Sequence, residues 1–351
     1  MTDLLSLVKR KEWSKVVSRS KLASTDEILY RDPSSFKATA LHVAVTANAP
    51  VDVVKCLLHH GHQAASMKEK RCGYLPLHCA IRHRSSVEII ALLISHYKNG
   101  VSVRDKSRWS SIHLACYFNS SPEVVDLLLK SDPTLAKMRT MQNATALHIA
   151  CRRKPNSKVV KSLLRLYPEA TKERIQGHWL PLHLAVWHDA SEETLIDLIL
   201  ADPEATRMVT SSSGQTPLSL YWNNCESPKL RVISLLLDPT ILNRDSHGRG
   251  DGLIHKLLRF PQSIPNLLTY VLDQFGDDAK CWDDEGRLPL HVAIESQSHV
   301  KKDAWKKIFH CYPNAISQRD CQRSLYPFMM ASTSSDLDLT FELIRLAPDV
   351  L

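Results

Sequence analysis

No stretch of this chain approaches the roughly 18 consecutive apolar residues that a bilayer-spanning helix requires, although hydrophobic residues make up 44% of its 351 positions. The apolar patch Leu4 to Val8 is too short for the core of an export signal, and the basic Lys9-Arg10-Lys11 follows it instead of preceding it. These absences lead us to expect an intracellular protein, cytoplasmic or nuclear, with no membrane segment. Nine cysteines, an odd number, include no Cys-x-x-Cys pair. Several of them, such as Cys79, Cys116 and Cys151, lie inside apolar helical patterns, which fits a reducing compartment better than a disulfide framework. The signatures of catalysis are missing too: there is no Gly-x-Ser-x-Gly elbow, no Walker loop and no His-Glu-x-x-His helix. Gly248-Arg-Gly-Asp-Gly252 has the glycines of a flexible loop but lacks the Lys-Ser/Thr that would hold a phosphate. We therefore expect neither an enzyme nor a cofactor.

What the chain does contain is internal repetition. One hexapeptide recurs as Thr39-Ala-Leu-His-Val-Ala44, Leu75-Pro-Leu-His-Cys-Ala80, Ser110-Ser-Ile-His-Leu-Ala115, Thr145-Ala-Leu-His-Ile-Ala150, Leu180-Pro-Leu-His-Leu-Ala185 and Leu288-Pro-Leu-His-Val-Ala293. Weaker copies are Thr216-Pro-Leu-Ser-Leu-Tyr221, Gly252-Leu-Ile-His-Lys-Leu257 and Tyr326-Pro-Phe-Met-Met-Ala331. The period is 35 or 36 residues. Roughly ten residues after each histidine an apolar stretch with three- and four-residue spacing begins, as in Val51-Asp-Val-Val-Lys-Cys-Leu-Leu58 and Val124-Val-Asp-Leu-Leu-Leu129, which marks a helix with one buried face. Ser121-Pro122-Glu123 supplies a cap and a favourable first turn. Pro133, Pro168, Pro203 and Pro313 end the preceding helices, because proline removes an N–H and clashes with the turn before it.

The hexapeptide resembles the opening of the first helix in the ankyrin repeat, Thr-Pro-Leu-His-x-Ala. The resemblance implies an all-α solenoid of about nine stacked helix-turn-helix repeats over residues 37–351, preceded by a degenerate capping repeat in residues 1–36, where Leu5, Val8, Trp13, Val16 and Val17 recur at helical spacing. It also implies a protein-binding scaffold. The chain departs from the family in two ways. Its period exceeds the usual 33 residues, and the Asp-x-x-Gly hairpin motif survives at Asp283-Asp-Glu-Gly286 and Asp245-Ser-His-Gly248 but not at Arg139-Thr-Met-Gln-Asn143. We expect the helical stacking to be kept and the projecting hairpins to vary.

Seven aligned histidines invite a metal hypothesis, but neighbours lie a whole repeat apart and cannot share an ion at Zn–N distances of about 2 Å. In the family this histidine bonds the neighbouring backbone. His59, His60 and His62 cluster at a helix end with only Cys56 nearby, and we read them as a solvated end. Asp283-Asp284-Glu285 occupies a hairpin tip, where acidic turn residues belong. The glycosylation sequons at Asn119 and Asn143 carry no meaning inside a cell. We expect no metal site.

The surface carries what specificity there is. In this fold first helices and hairpins form the inner, concave face. Four residues past the aligned histidine the chain reads Thr46, Arg82, Tyr117, Arg152, Trp187 and Asn223, and one position later Ala47, His83, Phe118, Arg153, His188 and Asn224. Arg and aromatic residues dominate binding hot spots; packing explains some of the row but not Arg82, Arg152 and Arg153. The hairpins add Lys68, Lys70, Arg71, Lys106, Arg108, Trp109, Arg174 and Trp179. Residues 1–175 hold 29 Lys and Arg against 14 Asp and Glu, whereas residues 176–351 hold 16 against 23. Such polarity attracts an acidic partner. The candidate partner-binding residues are Arg71, Arg82, His83, Arg108, Trp109, Tyr117, Phe118, Arg152, Arg153 and Trp187, with an acidic protein surface or peptide as the expected partner over repeats 2 to 5. Nucleic acid on the basic half is the rival expectation; a membrane surface has no separate amphipathic basic helix to serve it. The apolar Phe341, Leu343, Ile344 and Leu346 near the C-terminus lead us to expect a frayed last repeat, self-association, or a continuation of the chain.

Overall fold

The computed structural model describes residues 3–154, 156–211, 214–224, 229–237, 253–259, 266–295, 304–333 and 336–348. Among the described residues there are 21 α-helices and no extended strand, only two isolated antiparallel bridges, Asp32 with Ala38 and Arg139 with Thr145. They form two compact units, Met1–Thr216 and Pro217–Leu351.

In the first unit α1 (Leu4–Lys9), α2 (Trp13–Ser20) and the short α3 (Thr25–Leu29) precede five helix pairs. These are α4 (Ala40–Thr46) with α5 (Val51–His60), α6 (Pro76–Arg82) with α7 (Val87–His96), and α8 (Ser111–Tyr117) with α9 (Pro122–Ser131). Then come α10 (Ala146–Cys151) with α11 (Ser157–Leu166), and α12 (Pro181–Trp187) with α13 (Glu192–Ala201). Each first helix packs on its own second helix and on the first helices of its neighbours; α1 packs against α4 and α2 against α5, so the N-terminal helices stack as a pair of the same kind. The second unit continues the pattern with α14 (Pro217–Asn224), α15 (Leu230–Leu237), α16 (Leu253–Arg259), α17 (Leu267–Phe275), α18 (Pro289–Glu295), α19 (Ala304–Cys311), α20 (Pro327–Thr333) and α21 (Leu337–Leu346).

The alanines of the hexapeptide explain the spacing of the stack. Ala44, Ala80, Ala115, Ala150 and Ala185 have no exposed surface, because a methyl group is all that fits where consecutive first helices meet. Second helices bury one stripe each: Val53, Val54, Leu57 and Leu58 on α5, and Val124, Val125, Leu128 and Leu129 on α9. Ser86 and Ser191 cap α7 and α13 by accepting the amides of Ile89 and Thr194. Ser121 stands at the same position of α9 without such a bond, leaving Pro122 at the first turn as the local start signal. Each terminating proline also opens a short 3₁₀ turn, such as Pro133–Lys137, where Asp132 accepts the Thr134 amide.

The histidines tie one repeat to the next. His42 Nδ1 accepts the amide of Thr39 at 3.2 Å, and its Nε2 lies 3.1 Å from the carbonyl oxygen of Tyr74, in the following hairpin. Since Nδ1 accepts, the ring proton sits on Nε2 and donates to that carbonyl. His113 reaches Met138 O, His148 reaches Glu173 O and His183 reaches Met208 O in the same way. In the second unit His255 bonds Arg287 O and His291 bonds Gln318 O. A buried protonated ring would be both desolvated and unable to accept the capping amide. Desolvation accordingly pushes His42, His113, His148 and His183 down to about 4.

The hairpins vary less than their sequences do. At Asp283 the motif works as expected: the carboxylate accepts the amides of Glu285 and Arg287, and Gly286 takes a left-handed φ of 70°. Asp105 repeats this with Ser107 and Trp109, yet the left-handed residue there is Arg108, at φ 61°. At the joint lacking the motif, Thr140 Oγ1 accepts the Ala144 amide and Asn143 turns at φ 61°. The turn is thus conserved in shape while its chemistry changes. Asp245-Ser-His-Gly248 and Gly248-Arg-Gly-Asp-Gly252 lie outside the described residues. On α21, Leu343 is buried, whereas Leu337, Phe341 and Leu346 are exposed.

Candidate partner-binding face

The row anticipated four and five residues past each histidine falls at the C-terminal ends of the first helices, because these helices last only about two turns. Arg82, Tyr117 and Trp187 are the final residues of α6, α8 and α12, and Arg152 directly follows α10. Helices that stop here expose their last side chains beside the hairpins.

Cleft and cation–π geometry bring four of the anticipated residues together. Arg82, Trp109, Tyr117 and Phe118 line one cleft of roughly 600 Å³, with Tyr74 and Asp105 completing its wall. The Arg82 guanidinium lies 5.7 Å from the Phe118 ring and 5.9 Å from that of Tyr74. Trp109 stands edge to face with Tyr117 at 5.3 Å, and Tyr117 with Phe118 at 5.1 Å. Arg153 closes the other side: its guanidinium lies 4.5 Å over the Tyr117 ring and its Nε donates to Tyr117 O at 3.1 Å.

This corrects one expectation. Arg82 and Arg153 are not unexplained cations, since each packs on an aromatic ring of an adjacent repeat. Sequence reasoning could not pair them because their partners lie about one repeat away. Arg152 is exposed; loss of water around the His188 ring, and then the charges of Arg152, Arg153 and Lys154, hold His188 below the ordinary histidine range. His83 is exposed at the end of α6, and crowding followed by the Arg82 charge lowers it likewise.

Three further anticipated residues stand apart from the cleft. Trp187 is 45% exposed and meets Trp179 edge to face at 5.7 Å, forming a second aromatic pair two repeats on. Arg71 sits 5.3 Å over the Phe36 ring. Arg108 is exposed at a hairpin tip and has no ion-pair partner among the described residues.

A further set of contacts escaped the sequence reading. In the first unit the residue ending the turn after each of α4, α6, α8, α10 and α12 is left-handed and not glycine: Asn48, Arg84, Asn119, Lys154 and Asp189 have φ between 50° and 55°. Their side chains reach forward. Arg84 Nε donates to Phe118 O, Asn119 Nδ2 to Arg153 O, and Lys154 pairs with Asp189. These bonds brace the backbone that carries Phe118 and Arg153. The signal was present as a non-glycine residue at a regular offset, but only the left-handed backbone reveals its use. The Asn119 sequon is part of this brace.

No three histidine, cysteine or carboxylate side chains gather as a metal site among the described residues. No described helix is long and apolar enough to cross a membrane.

Stacked helix pairs, a histidine donating to the following hairpin at six joints among the described residues and short alanine-faced first helices define a class of repeat protein. A family model of ankyrin repeats matches in three copies, at residues 17–107, 41–139 and 112–208. The chain belongs to the ankyrin-repeat family, whose repeats generally mediate protein–protein interaction. Among curated proteins none matches the chain.

Proposed function

We propose that the chain is a non-catalytic, intracellular scaffold that holds an acidic segment of a partner protein against the first-helix ends and hairpins of repeats 2 to 5. The observation that carries this reading is the cleft in which Arg82, Trp109, Tyr117 and Phe118 meet. It offers apolar rings in fixed orientations beside a guanidinium, the combination that buries a hot-spot side chain and pairs a carboxylate at once. Arg152 and Trp187 extend the same row, and Arg71 and Arg108 add charge at its hairpin edge. The basic excess of residues 1–175 would speed encounter with an acidic partner and make association weaken as salt rises.

Affinity capture with the wild type and with Arg82, Tyr117, Arg152 and Trp187 changed to Ala tests this. Captured proteins that disappear with the variant, while its helical circular dichroism and melting remain, support the face. An unchanged set of captured proteins refutes it. Salt-sensitive retention of nucleic acid, lost with the same four changes, would replace the protein partner by the rival ligand.

A further inference from the structure

At the outer edge of the first hairpins six cations converge. Arg31, Lys68, Lys70, Arg104 and Lys106 line a shallow recess of roughly 480 Å³, and Lys37 joins it beside Lys70, whose neighbouring ammonium holds Lys37 below the ordinary lysine range. The hairpins that carry them are locked together by backbone bonds, Lys70 N to Phe36 O at 2.7 Å and Lys106 N to Cys72 O at 2.9 Å.

Three of the side chains are pinned as well, and to neutral acceptors. Lys68 Nζ donates to Arg104 O at 2.8 Å, Lys106 Nζ to Lys70 O at 2.5 Å, and Arg31 to Lys68 O. None of the six forms an ion pair among the described residues. The two carboxylates in the recess are engaged by loop amides: Glu69 by those of Arg71, Cys72 and Tyr74, and Asp105 by those of Ser107 and Trp109. Holding like charges together costs energy that an anion returns, and a scaffold that has already fixed several of the cations loses less entropy on binding.

We propose that this recess binds a compact, multiply phosphorylated anion, either a free polyphosphorylated cyclitol or the same group displayed as a lipid headgroup. The unpaired cations sit on three successive hairpins, and the row is interrupted at the next one, where Arg139 pairs with Glu173 at 2.5 Å. A dense anion can meet several of them at once, whereas an extended nucleic-acid backbone would run on past the gap. The proposal is independent of the first-helix cleft.

The test is calorimetric titration of the full chain with inositol hexakisphosphate, with sodium sulfate at matched ionic strength as the control anion. Saturable one-to-one binding is expected, absent with sulfate. Changing Lys37, Lys70 and Lys106 to Gln should weaken it, by roughly tenfold for each lysine lost; Lys106→Gln alone serves if the triple variant does not fold. Changing Lys55, Lys98 and Lys130, exposed elsewhere on the first unit, to Gln should leave it unaltered. Phosphatidylcholine vesicles containing a phosphatidylinositol bisphosphate separate the sources: sedimentation with vesicles, competed by inositol hexakisphosphate, supports the headgroup, and binding of the free compound alone supports the solution ligand. Failure to bind inositol hexakisphosphate overturns the proposal. Equal weakening by the two lysine sets, or binding of a phosphopeptide or oligonucleotide in its place, does the same.

Discussion

Acidification should unfold the first unit through its histidines. Burial pushes His42, His78, His113, His148 and His183 down to about 4 from an ordinary value of 6.5. The folded state therefore favours the neutral ring, and between these values the unfolded chain binds more protons. The contribution is complete above about pH 6.5 and is lost as pH falls toward 4. At pH 5 a ring of this kind forfeits about 2 kcal/mol. Five such rings forfeit about 10 kcal/mol, comparable to the whole stability of a domain. Near pH 5 unfolding should take up between about four and five protons, so stability should fall by about 6 kcal/mol per pH unit. Asp105, Asp197 and Asp202, raised chiefly by desolvation, act in the opposite direction at lower pH. Urea unfolding followed by circular dichroism at half-unit steps from pH 7 to 5 measures the slope, and His113→Asn should reduce it by about one proton. A stability independent of pH across that range, or five repeat histidines protonated in the folded protein by NMR at pH 5.5, would refute the assignment of neutral buried rings.

Three other perturbations probe the fold. Arg108 holds a left-handed φ of 61°, so Arg108→Gly should stabilise by up to about 1 kcal/mol in thermal melts, and a loss of stability would mean that its side chain holds the hairpin. Ala115 is wholly buried on α8; Ala115→Leu should cost about 1–3 kcal/mol or more by overpacking, with an unchanged urea midpoint contradicting close helix contact. In the second unit the buried Asp283 carboxylate pairs with Arg259 and Arg287 while accepting two turn amides. Asp283→Asn should therefore cost about 3 kcal/mol or more in chemical denaturation, and a neutral effect would show that the turn does not need the charge.

The architecture was legible because the hexapeptide states several requirements of a first helix at once: a cap, a hydrogen-bonding histidine and a small contact residue. The row at the helix ends was legible for the same reason, since a fixed offset from the histidine places Arg82, Tyr117, Arg152 and Trp187 at equivalent positions. Their company was not. Arg82 finds Phe118 and Arg153 finds Tyr117 only through the stacking of repeats, a distance relation that spacing along one chain does not contain. Hairpin shape was hidden for another reason. Thr140 can replace an aspartate as acceptor, and Arg108, Asn143 and Ser324 can occupy a left-handed position at modest cost, so a search for Asp-x-x-Gly misses turns that are present. The braces at Arg84, Asn119 and Lys154 were likewise invisible, since nothing local separates a reaching side chain from a solvated one.

The central claim, that a partner lies across the first-helix ends, is tested most directly by hydroxyl-radical footprinting of the chain alone and with a captured partner. Trp109, Tyr117, Phe118 and Trp187 should be protected, with the exposed positions of α9 and α11 unaffected. Protection confined to the second helices, with those four aromatic residues as reactive as in the free chain, would contradict it.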